Sequence, residues 1–257
     1  MKGDATGALR AEFDRLAEAG RTVGFWWRDD DAVAAGRALD RLLDLTGPRG
    51  LPISLAVIPH QSKDSLAVRI RTEDGVTVLV HGWDHANHAP SQERKAEFGP
   101  HRPVSDMARE ARSGLASITG RFGRQALPVF VPPWNRIAPD FAARLSDCGY
   151  RAFSCFGEAR SMVGIPRIDT HLDPVDWRGT RSLAEPRVLV EMTRRALARG
   201  TDVIGLLTHH LVFDEALWSF CAEVADLVAD HPAVEPLGLA ALLSEPRRVA
   251  RLAEAHP

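Results

Sequence analysis

Two imidazoles separated by three residues, His81 and His85, close an apolar run at 76–80 and lie in the stretch His81-Gly82-Trp83-Asp84-His85-Ala86-Asn87-His88. Neutral imidazole suits zinc and other divalent first-row ions. The pair is read as metal ligands, and at that spacing the rings would share one face of a helical turn. A second cluster, Arg28-Asp29-Asp30-Asp31, follows an earlier apolar run. Adjacent carboxylates repel one another, and a helix beginning near Ala32 would need only one of them as a cap. A bound cation and Arg28 would make the others tolerable, with one Asp on the metal and another serving as general base. A third group, Thr208-His209-His210, ends the last apolar run. Histidine there can carry a proton near neutral pH, as general acid or base.

Two further stretches would complete a small-molecule site. Val131-Pro132-Pro133-Trp134-Asn135-Arg136 combines a stiff Pro-Pro with a flat apolar wall. Asp169-Thr170-His171-Leu172-Asp173-Pro174-Val175-Asp176-Trp177 carries acids that orient an arginine or cap a turn.

The elements that must position these groups alternate in type. Short apolar runs at 22–27, 53–58, 76–80, 127–131, 150–154, 165–168 and 203–207 read as strands. Longer amphipathic segments at 33–45, 104–118, 139–148, 186–199 and 215–229 read as helices, with Pro139 and Pro186 at starts and Gly149 and Gly200 at stops. Residues 1–20 and 238–257 are read as terminal helices. Strand followed by helix, repeated, predicts an α/β protein with parallel strands, either a barrel or a doubly wound sheet. In a barrel, chemistry collects at the C-terminal strand ends, where all five polar clusters fall.

Composition bounds the rest. A chain of 257 residues with 45% hydrophobic content can bury a large core, and without a Gly/Ser/Pro-rich linker or internal repeat it is read as one domain over 1–257. A net charge of −2 and a pI near 6.6 give no footprint for nucleic acid. The arginines between 178 and 199 are read as a solvated helix face. Residues 1–20 lack the apolar stretch expected of a secretory signal, and no run approaches the length of a membrane span. Cys148, Cys155 and Cys221 form no Cys-x-x-Cys pair, so the expectation is inert core thiols in a reducing, cytoplasmic setting.

Taken in order, Asp-Asp, His-x-x-x-His, Pro-Pro-aromatic, Asp-x-x-Asp-Trp and Leu-x-x-His resemble the motifs of the NodB-homology polysaccharide deacetylases, the fourth family of carbohydrate esterases. The resemblance runs from about 23 to about 211. It implies a distorted (β/α)7 TIM-like barrel, a divalent cation, zinc first with cobalt, nickel or manganese as alternatives, and hydrolytic removal of an acyl group from a sugar amine or small amine. By position, Asp30 would be the base, Asp31, His81 and His85 the metal ligands, and His209 the acid. The register Asp29 and Asp30 stays open, as does His210 for His209. Trp134, Trp177, Trp83 and Pro133 would line the substrate, with Arg28, Asp29, Arg136, Asp173, Asp176 and His210 in support.

The departures are specific. Val131 stands where the family usually has an Arg that braces the base, so Arg28 or Arg136 would have to replace it. Gly82 stands where a hydroxyl residue is usual. Asp84, His88, Glu97 and His101 would enlarge a polar rim. Rival readings are a degenerate barrel that binds a carbohydrate or small amide without turnover, and an iron oxygenase. The oxygenase is disfavoured because Asp84 lies three residues after His81, whereas those enzymes usually place the carboxylate two after the first His.

Overall fold

The computed structural model describes residues 5–157, 165–198 and 201–244. In chain order the elements are α1 (Ala5–Glu18), β1 (Val23–Ala32), α2 (Arg37–Thr46), β2 (Ile53–Val57), α3 (Asp64–Ile70), β3 (Val76–His81), α4 (Val104–Phe122), β4 (Ala126–Val131), α5 (Pro139–Ala142), β5 (Ala152–Phe153), α6 (Pro186–Ala198), β6 (Val203–Thr208), α7 (Glu215–Asp230), β7 (Val234–Pro236) and α8 (Leu239–Ser244). Every paired strand is parallel, in the order β5-β4-β3-β2-β1-β6, with β7 against the start of β1.

The two ends of this sheet are joined by an irregular segment, 167–172. Its bridges run from Phe153 to Arg167 and from Leu172 to Leu206. Ile168 N–H donates to the Phe153 carbonyl at 3.0 Å, and Leu207 N–H donates to the Leu172 carbonyl at 2.8 Å. The sheet thus curls into a distorted (β/α)7 TIM-like barrel, an α/β fold in which one stave is irregular.

Strand alternation sorts the side chains into two cores. Ile53, Leu55, Val57, Val76, Val78 and Val80 face outward and pack with Leu39, Leu42, Met107 and Ile118 of the helical layer. Trp26, Ala56, Leu79, Val129, Val131 and Val203 face inward, and Leu237, Leu239 and Leu242 join them. The same parity carries on toward the C-terminal ends, so Arg28 and Asp30 follow Trp26, and His81 follows Leu79.

Several sequence expectations are corrected. The first strand continues through the Asp cluster to Ala32 and the next helix starts only at Arg37, so no carboxylate of that cluster caps it. The helix read at 139–148 breaks into α5 and a single 3-10 turn at Ser146–Cys148. The strand read at 150–154 contracts to Ala152–Phe153, and the one at 165–168 becomes the closing segment. The short elements α3 and β7 carry too few residues for periodicity to reveal them. Of the terminal helices, residues 1–4 and 245–257 lie outside the described residues, as do Arg199 and Gly200 at the end of the helix read at 186–199.

Gly205 marks a tight point of the closure. A Cβ there would lie 2.4 Å from Trp26 Nε1, 2.7 Å from the Asp169 carbonyl oxygen and 2.8 Å from Thr170 Cα. Two of these contacts are backbone, so Gly205→Ala should destabilise the protein by about 1–3 kcal/mol. Urea unfolding midpoints check this; an unchanged midpoint would mean the closing segment yields freely.

Candidate functional site

Regular pleating would send Asp29 and Asp31 to one face and Asp30 to the other. The register of β1 against β2 shifts between Asp29 and Ala32, and Asp31 takes a left-handed φ of 68°. This bulge re-aims Asp31, a common use of such irregularities at barrel rims. Asp31 Oδ1 then lies 3.1 Å from His81 Nε2 and 3.3 Å from His85 Nε2. Among the described residues these three form a group whose ligand atoms all fall within 4.8 Å of one another.

His81 is buried and its ring is fixed from behind. Nδ1 lies 3.0 Å from the Val131 carbonyl, which only accepts, so Nδ1 donates and Nε2 is left for a cation. His85 reaches the group through a loop, and this corrects the expected helical turn. His81 is the last residue of β3, while Gly82 and His85 have left-handed φ values of 60° and 57°. Burial would raise the Asp31 carboxyl, but the His81 hydrogen bond and the charges of His81, His209 and His85 outweigh it and hold the group well below the usual range. Burial, with His81 beside it, lowers His85 and favours the neutral imidazole that a metal takes. An Asp-His-His set with donor atoms all within 4.8 Å of one another fits adjacent positions around one divalent ion.

The neighbouring carboxylates are engaged differently. Asp30 is buried and receives both arms of the Arg28 guanidinium, Nε to Oδ1 at 2.8 Å and Nη2 to Oδ2 at 3.0 Å. Arg28 also donates to Ser154 Oγ at 2.7 Å and to Asn135 Oδ1 at 2.7 Å. Asp29 points to the opposite face, where it accepts from Thr208 Oγ1 at 2.7 Å and from the His210 N–H at 3.0 Å, and also pairs with His210 Nδ1. Burial works against charge on His210, but the Asp29 carboxylate outweighs it and raises the imidazole. Asp29 and His210 thus form a buried tie between β1 and the end of β6.

His209 lies on the mouth side. Its ring meets Trp177 edge-on at 4.8 Å, and its buried Nδ1 has no hydrogen-bond partner. Trp177 is anchored by Nε1 donating to Asp173 Oδ2 at 2.8 Å. Burial raises the Asp173 carboxyl, against the opposing charge of His209. Trp134, at a left-handed φ of 55°, packs against His85 at 4.3 Å. Two tryptophans therefore flank the group, one on a candidate ligand and the other on the candidate acid.

Other expected residues fall elsewhere. Arg136 donates to the Lys95 carbonyl at 2.8 Å and does not reach Asp30. Trp83 turns away to pack on His60 at 5.1 Å and on the outer core. Asp176 accepts from the Gly179 and Thr180 N–H groups, the role of a turn residue. Pro133 is buried against Gly82. All three cysteines are buried thiols, and burial pushes Cys155 up to about 12.

Glu97 is the residue whose role the sequence hid. Expected on a polar rim, it is buried and accepts from the backbone N–H groups of Asp84 at 2.8 Å, Trp83 at 3.2 Å and Ala86 at 3.4 Å. Those donors belong to the loop that carries His85. A Cβ at Gly82 would lie 2.1 Å from Glu97 Oε2, so glycine stands here because the carboxylate fills the space of a side chain. The visible signal was this glycine between two ligand candidates; nothing in the spacing points to residue 97. Glu97→Ala leaves those N–H groups without their acceptor and should weaken cobalt binding about 10- to 100-fold. Absorption-monitored titration reads this, and equal affinity would show that the loop is held by other means.

No protein-family model matches the sequence, and no curated protein matches it. Solved structures do. A structure described as a polysaccharide deacetylase from Mycobacterium smegmatis superposes with a TM-score of 0.65 at 14% identity, over 89% of this chain and 91% of that one. A family 4 acetyl xylan esterase from Clostridium thermocellum, in complex with a cobalt ion, gives 0.56 at 15%, over 86% and 90%. A peptidoglycan deacetylase from Bacillus subtilis gives 0.58 at 13%, over 91% and 96%. The chain shares the fold of these proteins along most of its length.

Proposed function

We propose that this chain, read as one domain, is a metal-dependent hydrolase that removes an acyl group, acetyl in the first instance, from an N-acylated sugar or small amine. One observation carries the reading: the adjacent carboxylates at the bulge are given separate tasks, Asp31 facing two imidazoles and Asp30 locked by Arg28. The solved structures of like fold include deacetylases and an esterase, one of them with cobalt, which supports the same chemistry here.

Asp31, His81 and His85 would hold the cation, zinc by preference with cobalt, nickel or manganese able to replace it. When bound, it supplies Lewis acidity toward an amide carbonyl and a neighbouring water. Asp30 takes a proton from that water as the oxygen bonds to the carbonyl carbon. Arg28 holds both carboxylate oxygens in place while each keeps a free lone pair for the task. His209 gives a proton to the departing nitrogen, so the C–N bond breaks to release a carboxylic acid and an amine. Trp177, tied to Asp173 through its Nε1, keeps that ring oriented. Trp134 forms an apolar wall beside His85, suited to an acyl methyl group. Asp29 and His210 act as the structural tie that keeps β1 and β6 in step.

Purified protein loaded with zinc and offered N-acetylated sugars and small amides should release acetate. Asp30→Asn should abolish release yet retain the ion, whereas His81→Ala should lose the ion; loss of metal in Asp30→Asn would move the ligand role to Asp30. Ion binding without acetate from any acylated amine would leave a binding protein in place of the hydrolase. His209→Ala should lower kcat by about 10²- to 10⁴-fold, and an unchanged kcat would remove it from the mechanism.

A further inference from the structure

A groove of about 410 Å³ is lined in part by Ala89, Glu93, Arg94, Ala96, His101 and Arg136, of which Arg136 stands two residues along the chain from Trp134. Its charges are unevenly matched. Glu93 is taken by His101, Nε2 to Oε2 at 2.9 Å. Arg136 is half-buried, and its Nη1 is spent on the Lys95 carbonyl. Burial disfavours the charge of this guanidinium, and Arg94 adds like-charge repulsion. Lys95 Nζ stands 5.9 Å over the Trp134 ring, whose other contact is His85 at 4.3 Å.

Among the described residues, Arg94, Lys95 and Arg136 make no ion pair. Some arginines elsewhere do, among them Arg102 with Glu110 at 2.6 Å, Arg41 with Glu215 at 2.6 Å and Arg49 with Asp226 at 2.6 Å. Three uncompensated cations crowd one edge of the mouth in a chain of net charge −2. Arg94 and Lys95 are exposed and Arg136 is half-buried, so the cluster is open to an incoming anion, and forked guanidinium groups match the several oxygens of an oxyacid. Three cations suit a single group, whereas a polyanion needs a longer basic track.

Building on the hydrolase reading, we propose that this groove is a subsite for an oxyacid group, so that the substrate is an N-acylated sugar or amine that also bears a phosphate or carboxylate. The anion is held by Arg94 and Arg136 with Lys95 beside it, while the acyl end lies past Trp134 at the Asp31-His81-His85 group. The subsite selects among acylated amines; it takes no part in bond breaking.

The test compares N-acetylglucosamine 6-phosphate, N-acetylmuramic acid and N-acetylglucosamine by equilibrium dialysis against zinc-loaded Asp30→Asn protein, which should retain them intact. At least one anionic sugar should bind about 10- to 100-fold tighter than the neutral one. Preference for the phosphate or for the carboxylate identifies the group. Adding Arg94→Ala and Arg136→Ala should erase the advantage and leave N-acetylglucosamine binding within about two-fold, as befits removal of charge-assisted contacts alone. Arg136→Lys should restore part of it. Equal binding of all three sugars, or an advantage that survives the double replacement, overturns the proposal. Wild-type protein that binds the anionic sugar tightly but releases no acetate from any sugar would sink the hydrolase reading and leave the subsite standing.

Discussion

The site depends on a break in the pleat of one strand. Asp30 and Asp31 are chain neighbours, and an uninterrupted β1 would aim them at opposite faces. The register shift and the left-handed Asp31 bring the second carboxylate round to the imidazoles while the first stays under Arg28. Aspartate tolerates that backbone region better than most residues. The two acids therefore differ in surroundings through geometry, although they are alike in chemistry and adjacent in sequence.

The second half of the site, carried by the 82–86 loop, is held by a buried acid that satisfies peptide N–H groups on both sides of His85. A carboxylate facing several N–H donors is a strong local tie, and burial makes the loss of those contacts expensive. Gly82 and Glu97 act as one unit: the small residue makes room, and the acid fills it. This accounts for the missing hydroxyl that the sequence set apart from its resemblance.

The barrel was legible because its strands and helices alternate in apolar period, and the residues at the strand ends were legible because they cluster by type. Strand parity also separates Asp29 from Arg28 and Asp30 once β1 is known to run to Ala32, but the read boundary at 27 concealed that. The loop conformation at His85, the turn role of Asp176 and the outward packing of Trp83 depend on backbone dihedrals and distant neighbours, and no spacing rule encodes them. Arg28 and Arg136 stood as equal candidates to brace the base; only the fold shows that the first reaches Asp30 and that the second lies with Lys95.

That choice of brace has a mechanical consequence. A guanidinium supplied from β4 would hold its partner only as long as two separate strands kept step, so any sliding between them would blur the alignment. Here Arg28 and Asp30 hang from the same face of one strand, two residues apart. Their spacing is a property of a single dipeptide step and does not depend on the register of β1 against its neighbours.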